Sequence, residues 1–179
     1  MLMKQNTCLV VVDVQGKLAR LVDENETLIS NCGKLIKGAQ VLGLPIIRLE
    51  QNPEKLSATV DELNDLLSDA KPIPKFTFNA CDEPKFVEAV QAKNVATWLV
   101  CGIEAYICVY QTAMGLLELG YKVQVVGDCI SSRTALNKDL AIRRLMDAGI
   151  QITGLEMSLY ELVKDCRAPE FKLILSLIR

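Results

Sequence analysis

Cys108 ends the stretch Gly102-Ile103-Glu104-Ala105-Tyr106-Ile107-Cys108, where an apolar strand gives way to a helical pattern. The first amides of a helix lack internal partners, and with the positive end of the helix dipole they favour anions, a thiolate included. The chain contains no histidine, so a nucleophilic Cys108 has to be served by something other than imidazole. Two other reactive groups also stand at strand ends: Asp13 after Thr7–Val12, and Lys75 within Pro72-Ile73-Pro74-Lys75-Phe76. Together they supply what amide hydrolysis needs. Asp13 can take the thiol proton and return it to a leaving group, Lys75 can favour the charged forms of both neighbours, and amides near Cys108 can receive an oxyanion.

Each of these residues also has a purely structural use. An aspartate ending a buried strand serves as a turn or cap residue, a lysine between proline and phenylalanine can be a solvated charge, and a cysteine at a helix start can be inert. The three meet only if the elements carrying them are neighbours.

Those elements read as repeated βα units around a parallel sheet. Strands are expected at Thr7–Val12, Pro45–Leu49, Pro72–Phe78, Val95–Cys101, Lys122–Val126 and Ile150–Thr153. Helices are expected at Asn25–Gly43, Val60–Leu67, from the capping segment Asp82-Glu83-Pro84 to Lys93, Tyr106–Leu119, Asn137–Ala148, Glu156–Lys164 and Pro169–Ile178. The sequence thus predicts an α/β, three-layer Rossmann-like fold over residues 1–179, one domain with helices on both faces of a six-stranded parallel sheet. In the strand order 3-2-1-4-5-6, the first and fourth strands are adjacent and Asp13, Lys75 and Cys108 converge at the carboxyl edge.

Composition narrows the function further. A 50% apolar, 23% charged chain of 179 residues has the material for a substantial core. Its net charge of −2, from 20 basic and 22 acidic residues, leaves no basic footprint for nucleic acid. Its apolar runs fall short of the roughly 20 residues a membrane helix needs, and Met1-Leu2-Met3-Lys4 does not open a secretory signal; a cytoplasmic protein is expected. The seven cysteines form no CxxC pair and read as buried hydrophobes, not a disulfide framework. Neither a metal nor an organic cofactor is expected.

Val11-Val12-Asp13-Val14-Gln15, Lys75-Phe76-Thr77-Phe78-Asn79 and Gly102 through Ala113 resemble the isochorismatase-like cysteine hydrolases over nearly the whole chain. The resemblance implies an Asp13-Lys75-Cys108 triad and a non-proline cis peptide before the nucleophile helix, placed at Glu104-Ala105, that aims amides of Cys108 and of Ile107 or Tyr106 at an oxyanion. Siderophore-type isochorismatases lack the cysteine, so its presence favours a carbonyl or amide substrate. Nicotinamidases bind metal through histidines that Arg48-Leu49-Glu50-Gln51-Asn52-Pro53 does not offer. Glu50-Gln51 and Gly127-Asp128-Cys129-Ile130-Ser131-Ser132-Arg133 are similar instead to the metal-free isochorismatase-domain branch, which often has histidine where Tyr106 stands.

Gln15 and Gln51 are candidates to bind a small substrate or to order loops, and Phe76, Phe78 and Tyr106 to wall a pocket or fill core. Asp128, Ser131 and Ser132 are expected to brace the loop before the Asn137 helix, and Arg133 to tie it to a neighbour. Met114 and Leu117, with the C-terminal helices, suggest a subunit interface, as the family commonly forms homo-oligomers. The expected activity is hydrolysis of a small amide, carbamoyl or related carbonyl compound through a thioester. Two other readings stand beside it. One is a catalytically silent oligomeric binding or scaffold protein; the other is a redox sensor pairing Cys108 with Cys101 or Cys129, whose strand positions keep them from approaching it.

Overall fold

β-branched and apolar runs that cannot be left in water form the six strands of one parallel sheet, in the order β3-β2-β1-β4-β5-β6. The computed structural model describes all 179 residues. In chain order the elements are β1 (Thr7–Val12), α1 (Leu18–Leu21), α2 (Asn25–Val41), β2 (Ile46–Gln51), α3 (Pro53–Leu56), α4 (Asp61–Asn64), β3 (Pro72–Lys75) and α5 (Pro84–Lys93). Then follow β4 (Thr97–Ile103), α6 (Tyr110–Glu118), β5 (Lys122–Ser131), α7 (Ala135–Asp147), β6 (Gln151–Thr153), α8 (Leu155–Val163) and α9 (Phe171–Ile178).

Strand geometry divides the side chains of β1 between two cores. Leu9 and Val11 pack with α2, α8 and α9 on one face. Cys8, Val10 and Val12 pack with α5, α6 and α7 on the other. Both central strands, β1 and β4, are buried along their whole length, as expected of a sheet covered on both sides. Edge strand β3 carries Pro72 and Pro74, which cannot donate to a further strand and so blunt that edge. No helix is long and apolar enough to cross a membrane.

The sheet order matches expectation, while several element bounds differ. β5 runs past Val126 to Ser131, because β4 shifts register between Val100 and Gly102 and lets Ile130 and Ser131 pair with Gly102 and Ile103. The Pro72–Phe78 stretch keeps strand geometry only to Lys75; beyond it, Glu83 Oε1 accepts from the amides of Phe76 and Thr77 and bends the chain away. Within the expected Asp82-Glu83-Pro84 start of α5, Glu83 holds the cap position and Pro84 the first turn. Pro53–Leu56 forms a helical turn. Helix α7 starts two residues before Asn137, since Thr134 Oγ1 accepts from the Asn137 amide at 3.3 Å.

Gly102 shows how closely β1 and β4 approach. Its φ is +117°, and a Cβ there would lie 2.0 Å from the Val12 carbonyl oxygen. Only glycine fits at that point, immediately before the segment that carries Cys108.

Candidate active site

β1 ends on Asp13, whose left-handed backbone (φ +50°) turns the chain and leaves the carboxylate buried at 1% exposure; aspartate tolerates this conformation better than most residues. Lys75 stands opposite Gln51 in the β2–β3 ladder and is fully buried. Its Nζ lies 2.8 Å from Asp13 Oδ2, and donates to Gln51 Oε1 at 2.6 Å and Thr77 O at 3.2 Å. An ammonium has three protons, and here it has three oxygen neighbours. Lys75 and the Cys108 thiol both act on the Asp13 carboxylate, the lysine through the 2.8 Å ion pair.

Cys108 lies in a π-helical turn, Ala105–Val109, that leads directly into α6. Its thiol is 7% exposed and adjoins both Asp13 and Lys75. Burial, reinforced by the Asp13 charge and opposed by Lys75, pushes the thiol up to about 12. Burial also raises Asp13 above the usual carboxylate range, against the pull of Lys75. Both shifts disfavour free anions in this corner while making Asp13 a stronger base.

The cis peptide lies between Ile103 and Glu104, one residue before the expected Glu104-Ala105 position. Glu104 is already the cap of the following turn: its carbonyl accepts from Ile107 N at 3.0 Å and Val109 N at 3.2 Å, so the reversal falls at the last residue of β4. This bonding also spends the Ile107 amide, an expected oxyanion donor. The other expected donors, the amides of Cys108 and Tyr106, lie in the same Ala105–Val109 turn. The Glu104 carboxylate is buried and accepts from Arg133 N at 3.3 Å and Nε at 3.2 Å, so the neighbour of Arg133 is this turn.

Several expected substrate contacts have partners within the protein. Gln15 donates to Gln51 O at 3.1 Å and Ser57 O at 2.7 Å, and accepts from Gln51 N at 2.6 Å. Gln51 gives its side-chain N–H to Phe76 O at 2.8 Å and its oxygen to Lys75. Both glutamines are therefore braces that position Lys75. Sequence reasoning left that role open; the register partnership of Gln51 with Lys75 is the signal for it. Thr112, buried in α6, accepts from Ala80 N and donates to Phe78 O, joining the segment after Lys75 to the nucleophile helix. Phe76 and Phe78 stand largely exposed, and Tyr106 is half-buried against the α6-side core.

Asp128 acts away from the loop before α7, whereas Ser131 ties the start of that loop to Asp23. Asp128 Oδ1 accepts from Leu155 N at 2.7 Å at the start of α8, and Ser131 donates to Asp23 O at 2.6 Å. Ser132 is fully buried with its hydroxyl unpartnered. Cys101 and Cys129 pack on the opposite sheet face from Cys108. No group of three or more His, Cys, Asp or Glu side chains is arranged to hold a metal ion. A surface depression of ≈570 Å³ lies along β6 between Met146 and Met157 and includes none of the residues around Cys108.

The isochorismatase domain model matches residues 7–157. The secreted isochorismatase effector Isc1 of Phytophthora sojae is 34% identical over 99% of this chain and 87% of its own length. Among solved structures, the MAR1 ribonuclease of Caenorhabditis elegans is 34% identical with a TM-score of 0.92, covering 99% of this chain and 91% of that one. YcaC was solved from Pseudomonas aeruginosa with hexane-2,5-diol and covalent acrylamide; it is 27% identical, with a TM-score of 0.92 over 98% of this chain and 90% of that one. YcaC of Escherichia coli, an octameric hydrolase of unknown specificity, is also 27% identical, with a TM-score of 0.93 over 98% and 89%. With a family model spanning most of the sequence and agreement in backbone along nearly all of it, the chain belongs to the isochorismatase family, a family of hydrolases.

Proposed function

We propose that this chain is a cysteine-dependent hydrolase of a small amide, carbamoyl or related carbonyl compound, with Asp13, Lys75 and Cys108 as its triad. The observation that carries the reading is the fully buried Lys75–Asp13 pair, 2.8 Å apart, beside the Cys108 thiol. Burying two charges costs several kcal/mol per ion before their attraction is counted, an arrangement poorly suited to stability alone and well suited to a proton-transfer site.

As Sγ of Cys108 attacks the substrate carbonyl carbon, its proton passes to Asp13 and the C–S bond forms. The amides of Cys108 and Tyr106, in the turn that opens the nucleophile helix, receive the oxyanion. Collapse breaks the C–N bond, and Asp13 returns the proton to the departing nitrogen, leaving a thioester. Water then attacks the thioester carbonyl, Asp13 takes its proton, and the acid leaves as the proton returns to sulfur. Lys75 offsets the negative charge that moves between carboxylate and sulfur, so the net charge of the buried corner stays constant. Gln15 and Gln51 hold Lys75 in place, and no metal or organic cofactor enters.

The acrylamide bound covalently to a YcaC protein supports the nucleophile of this reading and not its substrate class, since acrylamide captures thiols by conjugate addition to its C=C bond and keeps its amide intact. The ribonuclease activity named for the Caenorhabditis elegans relative is less favoured here, because a chain of net charge −2 without histidine lacks both the basic track and the imidazoles that RNA cleavage commonly uses. The octameric YcaC likewise supports assembly of this chain with copies of itself; Met114 and Leu117 are partly buried against the α6-face core. The hydrolase reading is tested by incubating the protein with a panel of small amides and carbamoyl compounds and reading acyl-enzyme by mass spectrometry. An adduct on Cys108 that forms and decays with product supports it; a silent panel with an unmodified thiol favours the binding-protein reading.

A further inference from the structure

Helix α7 has a sharply divided surface. Ala141 and Leu145 face the sheet and are buried, and the Arg144 guanidinium lies over the Tyr110 ring at 4.8 Å. On the opposite side Leu136, Leu140 and Met146 are 76%, 52% and 60% exposed. At 100° per residue, Leu136, Asp139, Leu140, Arg143 and Met146 share one outward stripe. Asp139 and Arg143 stand one turn apart on that stripe, yet neither has an ion-pair partner in the chain. Apolar helix α9 differs, because Phe171, Ile174, Leu177 and Ile178 pack on the core and leave Leu173 as its one largely exposed apolar residue.

We propose that the outer stripe of α7 is a homotypic contact, and that its occupant is α7 of a second copy of this chain, packed antiparallel. The stripe is self-complementary under a two-fold axis near residue 141. Leu136 then meets Met146 of the partner subunit, Leu140 packs beside Leu140 of the partner subunit, and Asp139 faces Arg143 of the partner subunit. The symmetry repeats each contact, giving two ion pairs around an apolar centre along a helix of 13 residues, about 20 Å. Charges that are unspent within one chain become paired between two, which fixes antiparallel over parallel packing. Because α7 also packs against the turn that carries Cys108, this contact buttresses the candidate active site.

The proposal rests on the reading that the chain assembles with itself, and its test separates the two. Light scattering and sedimentation equilibrium are run on the full chain, Leu140→Glu, Asp139→Arg, Arg143→Asp and the double variant carrying both charge reversals, with circular dichroism as a folding check. The parent is expected at a multiple of 19.8 kDa. Leu140→Glu and each single reversal are expected to weaken association roughly tenfold or more, and the double reversal to restore it. A monomeric parent overturns self-assembly and this contact together. An assembly whose mass and dissociation are unchanged in all variants keeps self-assembly and overturns the α7 contact, as does a double reversal that fails to restore what the single reversals weaken.

Discussion

Two groups of buried thiols lie on opposite faces of the same sheet. On the α2 face, Cys32, Cys101 and Cys129 are fully buried in an apolar core, where the Cys32 thiol donates to the Cys129 carbonyl at 3.4 Å. Hydrogen bonding to Cys32, together with burial, holds Cys101 and Cys129 well above the ordinary thiol range. On the α6 face, Cys108 is also pushed up, but by burial and the charge of Asp13, with Lys75 acting in opposition. Burial alone therefore does not separate the α2-face thiols from the candidate nucleophile. The separation comes from a neighbouring base and cation, and from the 7% exposure that Cys108 keeps while the other three have none.

This comparison is broken most decisively by exchanging sulfur for oxygen on each face. Cys108→Ser is expected to reduce hydrolysis to background while retaining the fold. Cys32→Ser is expected to leave the rate per folded molecule unchanged, because no element of the α6-face site touches that thiol. Parallel activity assays and unfolding curves check both outcomes; equal activity losses would erase the distinction.

The next effect concerns the buried ion pair. Lys75→Met leaves Asp13 buried without its cation, and a loss of about 3–5 kcal/mol is expected. Arg20→Ala, which removes the exposed Arg20–Glu62 pair of 2.6 Å, is expected to cost no more than about 1 kcal/mol. Urea unfolding of both variants measures the contrast. A smaller change, about 1–3 kcal/mol, is expected for Gly102→Ala, which combines an unfavourable φ with a Cβ against Val12.

On the α2 face an effect on stability without one on activity is expected. Cys32→Ala should cost about 1–2 kcal/mol through a small cavity, with the activity profile against pH unmoved. That profile carries its own expectation. Because burial raises Asp13, activity should fall on acidification at a pH above the usual carboxylate range, and it should show no alkaline rise until the thiol itself ionises near 12.

Much of this arrangement is legible in the sequence. Val10-Val11-Val12 and Thr97 through Cys101 announce buried parallel strands, and their ends place Asp13 and Cys108 near one another once the strand order is fixed. The extension of β5 is not legible, because Gly127-Asp128-Cys129-Ile130-Ser131 has loop composition and pairs only through the register shift in β4. The braces around Lys75 and Glu104 are hidden for a related reason. Gln15, Gln51 and Arg133 belong to three separated segments, and their side-chain directions follow from the turns that join those segments to the sheet.

The central claim is that Asp13 is the base that activates Cys108. Its most direct test is the rate of acyl-enzyme formation on Cys108 across pH, by rapid-quench mass spectrometry, in the parent and Asp13→Asn. The parent should acylate across the neutral range. Asp13→Asn should be slowed about 10²–10⁴-fold there and should regain rate only as pH rises, starting below 12 because the charge that raises the thiol has been removed. Superimposable profiles in the two proteins would contradict the account.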